Sequence, residues 1–204
     1  MLLYRKNFQW NPSFYKKIII AFLPTGIIGF LLKKNIDVWL GSVQLVAWSL
    51  ILGGLILIWS DKKFVTQRHQ GKKIENLSWK ECLLLGLFQS IAMIPGVSRS
   101  GATIIGGLSL GLSQKEAAEF SFFLAVPTMM AATGYKLLKI APTITADQIQ
   151  ILAFGSLVAF VVAGLAVKGF INWISSHGFK AFGYYRILLG ALILVLIYTG
   201  TRFH

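Results

Sequence analysis

The residues best suited to chemistry stand together in one apolar stretch of the chain. Arg99 is the single charged residue within residues 82–114, and the hydroxyl side chains of Ser98, Ser100 and Thr103 lie beside it. An arginine in so apolar a setting is costly, so it usually faces a polar cavity or a partner. The stretch holds no carboxylate, and the planar donors of a guanidinium match two phosphate oxygens at once. The pattern favours a site for a phosphate-bearing ligand.

A purely structural arrangement is compatible with the same residues. Arg99 could donate to a backbone carbonyl, and the hydroxyl groups could bond to carbonyls of their own helix. Gln89 lies about two helical turns before Pro95. We expect Gln89 to form a hydrogen bond across helices and to lie near the site. The stretch alone leaves the ligand-binding and the structural interpretations open.

The composition indicates what kind of protein positions these residues. Apolar residues make up 55% of the 204 residues and charged residues only 13%, whereas soluble domains carry about 25% charged residues. This excludes a disordered chain and most soluble enzymes. The net charge of +13 would suggest nucleic acid in a soluble protein. Here the basic residues separate apolar runs, which indicates cytoplasmic loops beside anionic lipid instead.

The chain is therefore predicted to be an all-α polytopic membrane protein, with residues 1–204 forming a single membrane domain. A spanning helix needs about 20 mostly apolar residues, and flanking lysine or arginine side chains can extend a shorter run. About five spanning helices are predicted, and the basic loop 61–80 is placed in the cytoplasm together with the N-terminus. The predicted spans cover residues 18–32, 38–60, 120–135, 149–167 and 187–201.

Residues 82–114 are expected to form a re-entrant hairpin rather than a span. As one helix they would be about 50 Å long, against a bilayer core of about 30 Å. Pro95 and Gly96 interrupt the stretch near its middle, where proline breaks a helix and glycine permits a turn. The second half-helix would then present its free N–H groups to an anion. Gly101 would let the backbone approach that anion closely.

The carboxylates are mostly explained by helix starts. Three patterns of the capping-box type, Ser78–Glu81, Ser113–Glu116 and Thr145–Gln148, predict helices that begin near residues 79, 114 and 146. Glu119 is the one remaining carboxylate that we keep open as a catalytic base.

No metal site is predicted from the residues themselves. Cys82 is the only cysteine, and the histidines at positions 69, 177 and 204 are scattered along the chain. Metal sites need several such ligands close together.

The stretch Pro95–Thr103 resembles the PGxSRSGxT motif of the undecaprenyl-pyrophosphate phosphatase family, the bacitracin-resistance type. Two flanking stretches, Gly86–Ser90 and Ala118–Pro127, are also similar to that family in order and spacing. The resemblance extends from about Lys17 to the C-terminus. A nine-residue motif in a matching hydropathy frame is a specific signal.

The resemblance implies a fold of two inverted repeats, each with a re-entrant hairpin, of which this chain would be the second half. It implies hydrolysis of undecaprenyl diphosphate to undecaprenyl phosphate in the bacterial cell membrane, which recycles the lipid carrier of cell-wall synthesis. Arg99 and Ser98 would be catalytic residues. The substrate would be bound by Arg99, Ser98, Ser100, Gly101, Thr103 and Gln89.

The chain departs from the family pattern in one respect. The family's acidic motif, ExxxExxPxSSxxH, is not found in this sequence. That motif is the one from which a divalent cation, magnesium or calcium, would take its carboxylate ligands. We therefore expect a truncated version of the family protein that is inactive alone.

Two other functions stay open. A transporter or flippase for an anionic lipid would also use broken helices in inverted repeats. A lipid-phosphate binder without turnover would need only the basic half of the site. We also leave open a homo-oligomer, and we expect no nucleic acid partner.

Overall fold

The computed structural model describes residues 12–68 and 70–200. These residues form α-helices and short 3₁₀ helices, and no strand is assigned among them. The seven α-helices are α1 (Pro12–Leu40), α2 (Val43–Lys63), α3 (Trp79–Ser90), α4 (Arg99–Ser109), α5 (Gln114–Ile140), α6 (Ala146–His177) and α7 (Lys180–Tyr198). Val65–Arg68, Ile74–Asn76 and Ile91–Met93 are 3₁₀ turns. The all-α prediction is confirmed.

The predicted break in the apolar stretch is present. Helix α3 ends at Ser90 and α4 begins at Arg99, with a 3₁₀ turn and the Pro95–Gly96 turn between them. Gly96 has a φ of +89°, a conformation that glycine adopts without a Cβ penalty. Lys72 lies beside both ends of the hairpin, because it bonds the backbone of Gly111 and pairs with Glu81. The two half-helices therefore return to one end, while their re-entry into a membrane stays a prediction.

Four helices of the described residues are long and apolar enough to cross a membrane: Pro12–Ile36, Val43–Lys63, Asp147–Ile171 and Lys180–Tyr198. They match four of the five predicted spans. The fifth segment, 120–135, lies within α5, which is 27 residues long but carries charged residues in its first and last turns. That span stays a prediction.

The helix boundaries differ from the apolar runs. Helix α1 (Pro12–Leu40) extends beyond the run 18–32 at both ends, and α6 extends beyond the run 149–167 to His177. The run 38–60 began before the turn at Gly41 and Ser42, and α2 itself begins at Val43 because the Ser42 hydroxyl caps the amide of Leu45. The run 187–201 began too late, because α7 begins at Lys180. Residues 201–204 and His69 lie outside the described residues.

The three predicted helix starts are confirmed at Trp79, Gln114 and Ala146. The capping boxes at Ser78 and Thr145 are complete, with both reciprocal hydrogen bonds formed. At Ser113 only the serine half is formed, since the Glu116 carboxylate accepts a hydrogen bond of 2.9 Å from the Ile74 amide instead. Glu116 thus fastens the connecting segment before α3 to α5.

The buried core lies where α1, α3, α4 and α5 meet. Its fully buried members include Ala21, Leu85, Cys82, Ile104, Leu108, Leu112, Phe120 and Leu124. Glycines allow the close approach, as a Cβ at Gly86 would stand 2.1 Å from the Ala21 carbonyl oxygen. A Cβ at Gly107 would likewise stand 2.9 Å from the Ala117 Cβ.

A second close pair is formed by α2 and α7. A Cβ at Gly54 would lie 2.6 Å from the carbonyl oxygen of Gly183, and one at Gly190 would lie 2.7 Å from that of Ala47. Small residues at helix contacts are the usual means of tight packing in membranes, where apolar burial gives no drive between helices. The spanning window of α6, by contrast, has none of its residues buried in the described structure.

Candidate functional site

The start of α4 is organised by Ser98. Its backbone is extended (φ −73°, ψ 117°), and its hydroxyl accepts a hydrogen bond of 3.1 Å from the Gly101 amide. This is a serine N-cap, which satisfies one of the amides that a helix start leaves without an intrahelical partner. The amides of Arg99 and Ser100 come before the first intrahelical bond. They give this helix end its positive potential.

The predicted hydroxyl residues fall into two groups. Ser98 and Ser100 are half-buried, and their hydroxyl oxygens are 3.3 Å apart. Thr103 is buried, and its hydroxyl donates a hydrogen bond of 3.0 Å to the Arg99 carbonyl. Gly101 is buried and lies against Ser98, where a Cβ would stand 3.1 Å from the serine Cβ. The Thr103 hydroxyl thus bonds a carbonyl of its own helix, as the structural interpretation predicts. The two serines are half-buried at the start of that helix.

Arg99 is the first residue of α4 and is half-buried. Its Nη1 atom is buried and, among the described residues, has no hydrogen-bond partner. A buried donor without a partner is expensive, more so when it is charged. The guanidinium is therefore a group that a bound anion would satisfy.

Gln89 is buried at the end of α3 and connects three helices. Its side-chain amide donates hydrogen bonds to Thr25 of α1 at 3.1 Å and to Thr128 of α5 at 3.0 Å. Both threonine hydroxyls donate to backbone carbonyls, those of Gly86 and Leu124, so each can only accept from Gln89. The expected hydrogen bond across helices is confirmed. A role of Gln89 in substrate binding stays a prediction.

Arg186 is a residue that sequence reasoning missed. It falls one residue before the predicted span 187–201, but it lies in the second turn of α7, and its Nη2 donates to the carbonyl of Gly96 in the break. Its Nε atom is buried with no hydrogen-bond partner among the described residues. Residues 181–185 contain no charge, and this is the signal that could have extended the helix back to include Arg186.

The carboxylates near the hairpin's other end are engaged in structure. Glu81 accepts from the Ser78 amide and pairs with Lys72 at 2.7 Å. The hydrogen bond from Lys72 and that from Ser78 lower the pKa of Glu81 to about 2. Both Glu81 and Glu116 therefore hold the segment before α3, in agreement with the structural role predicted for them.

A divalent cation does not fit the described residues. They contain no group of three or more His, Cys, Asp or Glu side chains placed to hold a metal ion. The exposed ring of His177 stacks on Trp173 at 5.1 Å, and His69 and His204 lie outside the described residues. We therefore derive no step through a metal.

Glu119, the candidate base, is half-buried in the second turn of α5. Gly107 of α4 contacts Ala117 of α5. With a rise of 1.5 Å per residue from this contact, Arg99 is about 9 Å farther than Glu119 from the turn that joins α4 and α5, measured along the helix axes. Its role as a base stays a prediction.

Two surface cavities in the described residues lie away from the break. One is at the α5–α6 turn, where Ile140 and Leu152 are among its lining residues, and the other is beside Lys17 and Glu75. Neither includes a predicted site residue. The break is instead a half-open polar surface that carries two arginines, two serine hydroxyls and a helix N-terminus. Such a surface can bind and orient a phosphate, and it can stabilise negative charge that develops there. The groups in hydrogen-bond contact with Ser98 are an amide and a hydroxyl, and neither is a base.

Comparisons with known proteins show to which family the chain belongs. A protein-family model described as "Bacitracin resistance protein BacA" matches residues 3–192. An undecaprenyl-diphosphatase of Bdellovibrio bacteriovorus is 60% identical over 200 residues, which is 98% of this chain and 76% of the relative. Undecaprenyl-diphosphatases of Flavobacterium johnsoniae and Aquifex aeolicus are 47% and 48% identical, with 96% and 93% of this chain covered and 75% and 74% of those proteins. Together with its four apolar helices, this match makes the chain a multi-pass bacterial membrane protein that belongs to the BacA family.

Proposed function

We propose that this chain acts on undecaprenyl diphosphate and hydrolyses its terminal phosphoanhydride bond, as the names of its relatives state for them. The single observation that carries the proposal is the environment of the Arg99 guanidinium. A half-buried guanidinium with an unpartnered donor stands at a helix N-terminus in an apolar hairpin. A diphosphate headgroup at the end of a lipid chain supplies the charge that this site lacks.

Each residue of the break has a part in the proposed reaction. Arg99 binds two oxygens of the diphosphate, because its planar donors match that geometry. Water attacks the terminal phosphorus, and the bond from that phosphorus to the bridging oxygen breaks, so that undecaprenyl phosphate leaves. The positive end of α4 and the Ser100 hydroxyl stabilise the charge that spreads over the phosphate oxygens in this step. Ser98 keeps this helix end in place through its cap on Gly101. Gly101 and Thr103 shape the first turn.

Hydrolysis also needs a positioned base or nucleophile. The contacts of Ser98 do not include a base, and the carboxylates of Glu81 and Glu116 hold loop backbone. We therefore propose that the described residues form the part of the site that binds charge. Binding of a lipid diphosphate without turnover is the second candidate function, favoured by the same contacts of Ser98.

The test uses the purified 204-residue chain in detergent, with farnesyl diphosphate as a soluble probe. We expect the chain to bind the probe and Arg99→Ala to weaken binding about 10- to 100-fold, since a hydrogen bond to a charged group contributes about 1.5–3 kcal/mol. Lys180→Gln, which removes an exposed cation from α7, is the matched control. Unchanged binding in Arg99→Ala would refute the proposed role.

Turnover separates the candidate functions. Phosphate release from undecaprenyl diphosphate by the chain would support the phosphatase, and Glu119→Gln would then be the first variant to test for a base. Binding with no phosphate release would support the second candidate. Movement of intact lipid between the leaflets of a vesicle would instead support the transporter.

A further inference from the structure

The break between α3 and α4 is held by a second arginine from a distant part of the chain. Arg186 is half-buried, and its Nη2 donates to the carbonyl of Gly96. Gly96 lies two residues before the serine that caps α4. A hydrogen bond from a charged donor is roughly twice as strong as a neutral one, so the contact fixes this carbonyl firmly.

The surroundings of Arg186 are shaped to place its guanidinium there. Gly53 of α2 faces it, and a Cβ at Gly53 would stand only 2.9 Å from Nη2. On the same two helices, the contact of Gly54 with Gly183 brings the backbones together one turn away. The arginine therefore passes through a gap that exists because two neighbouring positions of α2 have no side chain.

The turn itself is pressed against α2. A Cβ at Gly96 would stand 2.6 Å from the carbonyl oxygen of Val46 and 2.9 Å from the Cβ of Ser49. Gly96 is thus held on one side by α2 and on the other by Arg186. Because Ser98 and Arg99 follow two and three residues later, the position of the Gly96 carbonyl restricts where the helix end can face.

The charge of Arg186 is poorly compensated by the protein. Its one hydrogen bond among the described residues goes to a neutral carbonyl, and its Nε is buried with no partner there. A neutral donor could satisfy this carbonyl at a lower desolvation cost. An arginine within a spanning helix therefore usually marks a functional site. A cation from α7 therefore contacts the break directly before the helix that begins at Arg99.

We infer that Arg186 is a positioning residue for the diphosphate site: it fixes the Pro95–Gly96 turn so that Ser98 and Arg99 face the ligand. The inference rests on the proposed function and names a residue of the same site. Arg186 acts through Gly96, and its positive charge adds to the attraction for the diphosphate.

The experiment measures farnesyl diphosphate binding by the purified chain in detergent. Arg186→Gln is expected to weaken binding about ten-fold while the helical content and the Tm in detergent stay close to those of the parent. Lys180→Gln, an exposed cation of the same helix, should leave binding unchanged. Parent-like affinity in a folded Arg186→Gln protein would overturn the inference.

Conservative variants separate positioning from packing. Arg186→Lys keeps a cationic donor for the Gly96 carbonyl and should recover much of the lost affinity, whereas Arg186→Met keeps only the length of the side chain and should not. Equal affinity of the lysine and methionine variants would show a packing role and would refute positioning.

A variant that displaces the Arg186 guanidinium tests the inference without removing the charge of Arg186. Gly53→Ala places a methyl group against Nη2 and should also weaken binding, by a smaller factor than Arg186→Gln. Gly164→Ala on α6, where a Cβ meets nothing within 4 Å, is the matched control. If Arg186→Gln does not fold, Gly53→Ala decides, and unchanged affinity there overturns the inference. A parent chain that fails to bind the probe would refute the proposed function itself, which is a distinguishable result.

Discussion

The side-chain amide of Gln89, at the end of α3, donates a hydrogen bond of 3.0 Å to the hydroxyl of Thr128 in α5. Thr128 follows Pro127 directly, so this contact joins the end of the first half-helix to the proline position of the neighbouring long helix. The same amide bonds Thr25 of α1. One buried polar side chain thus joins α3, which ends at the break, to α1 and α5.

Replacement of Gln89 by leucine is expected to destabilise the fold. It removes two interhelical hydrogen bonds, and such bonds contribute about 0.6 kcal/mol each in membrane proteins, with a maximum of about 1.7. The free energy of unfolding, measured by denaturant titration in mixed micelles, should therefore fall by about 1–3 kcal/mol. Thr128→Val removes one of the two bonds and should cost about half as much. An additive double variant would show that Gln89 and Thr128 are not coupled.

Ser98 has a capping role that can be separated from a catalytic one. At an N-cap, alanine costs about 1 kcal/mol and glycine only a few tenths. If Ser98 acts through the cap, Ser98→Gly should keep most of the affinity for farnesyl diphosphate and Ser98→Ala should lose more. Binding is read by titration at fixed detergent concentration. An equal loss in both variants would point to a direct role of the hydroxyl group.

Gly86 is expected to tolerate no side chain. A Cβ there would stand 2.1 Å from the Ala21 carbonyl oxygen and 3.0 Å from Pro24, so α1 and α3 would have to separate. Overpacking of this kind typically costs about 1–3 kcal/mol. Gly86→Ala should lower the Tm in detergent, whereas Gly155→Ala, which meets nothing within 4 Å, should not. A parent-like Tm for Gly86→Ala would contradict the close α1–α3 contact.

The start of α3 should respond to acid through Glu81. Its pKa is lowered from the ordinary 4.5 to about 2, chiefly by the hydrogen bond from Lys72. A lowered pKa means that the ionised form stabilises the fold above about pH 4.5, and that this contribution is lost as the pH falls through about 2. Hydrogen exchange of residues 72–81 should therefore accelerate in this window.

Glu81→Gln provides the comparison for that measurement. It should show fast exchange of residues 72–81 at all pH values, without the acid-dependent step. Asp147→Asn, in the first turn of α6, is the control and should keep the step. The same acid-dependent step in Glu81→Gln would assign the titration to another group.

Much of the candidate site could be predicted because it is local in sequence. The cap at Ser98, the break at Pro95 and Gly96, and the serines around Arg99 lie within nine residues, and short-range backbone rules determine them. The helix starts at Trp79, Gln114 and Ala146 followed from the same rules. The hydroxyl of Thr103 donates to the Arg99 carbonyl, as threonine hydroxyls within a helix often do, and its role in substrate binding stays a prediction.

The contacts that were missed all join distant positions. Glu116 was predicted to bond its own helix start and bonds Ile74 instead, 42 residues away along the chain. Arg186 was left outside the predicted span 187–201, because the apolar run starts at the next residue. Nothing local shows that Glu116 bonds Ile74, and for Arg186 the only local signal was the uncharged run 181–185.

The class of the protein, the place of the break and the residues beside Arg99 can be derived from the amino-acid sequence alone, since hydropathy, proline and capping act over a few residues. Which helices meet at that break depends on packing between distant parts of the chain. Gly86 packs α3 on α1, and Gly53 and Gly183 lie where α7 approaches α2. Only after those backbones approach can Gln89 reach Thr25 and Thr128, and Arg186 reach Gly96. Such contacts depend on close packing between elements far apart in sequence, which a local pattern does not encode.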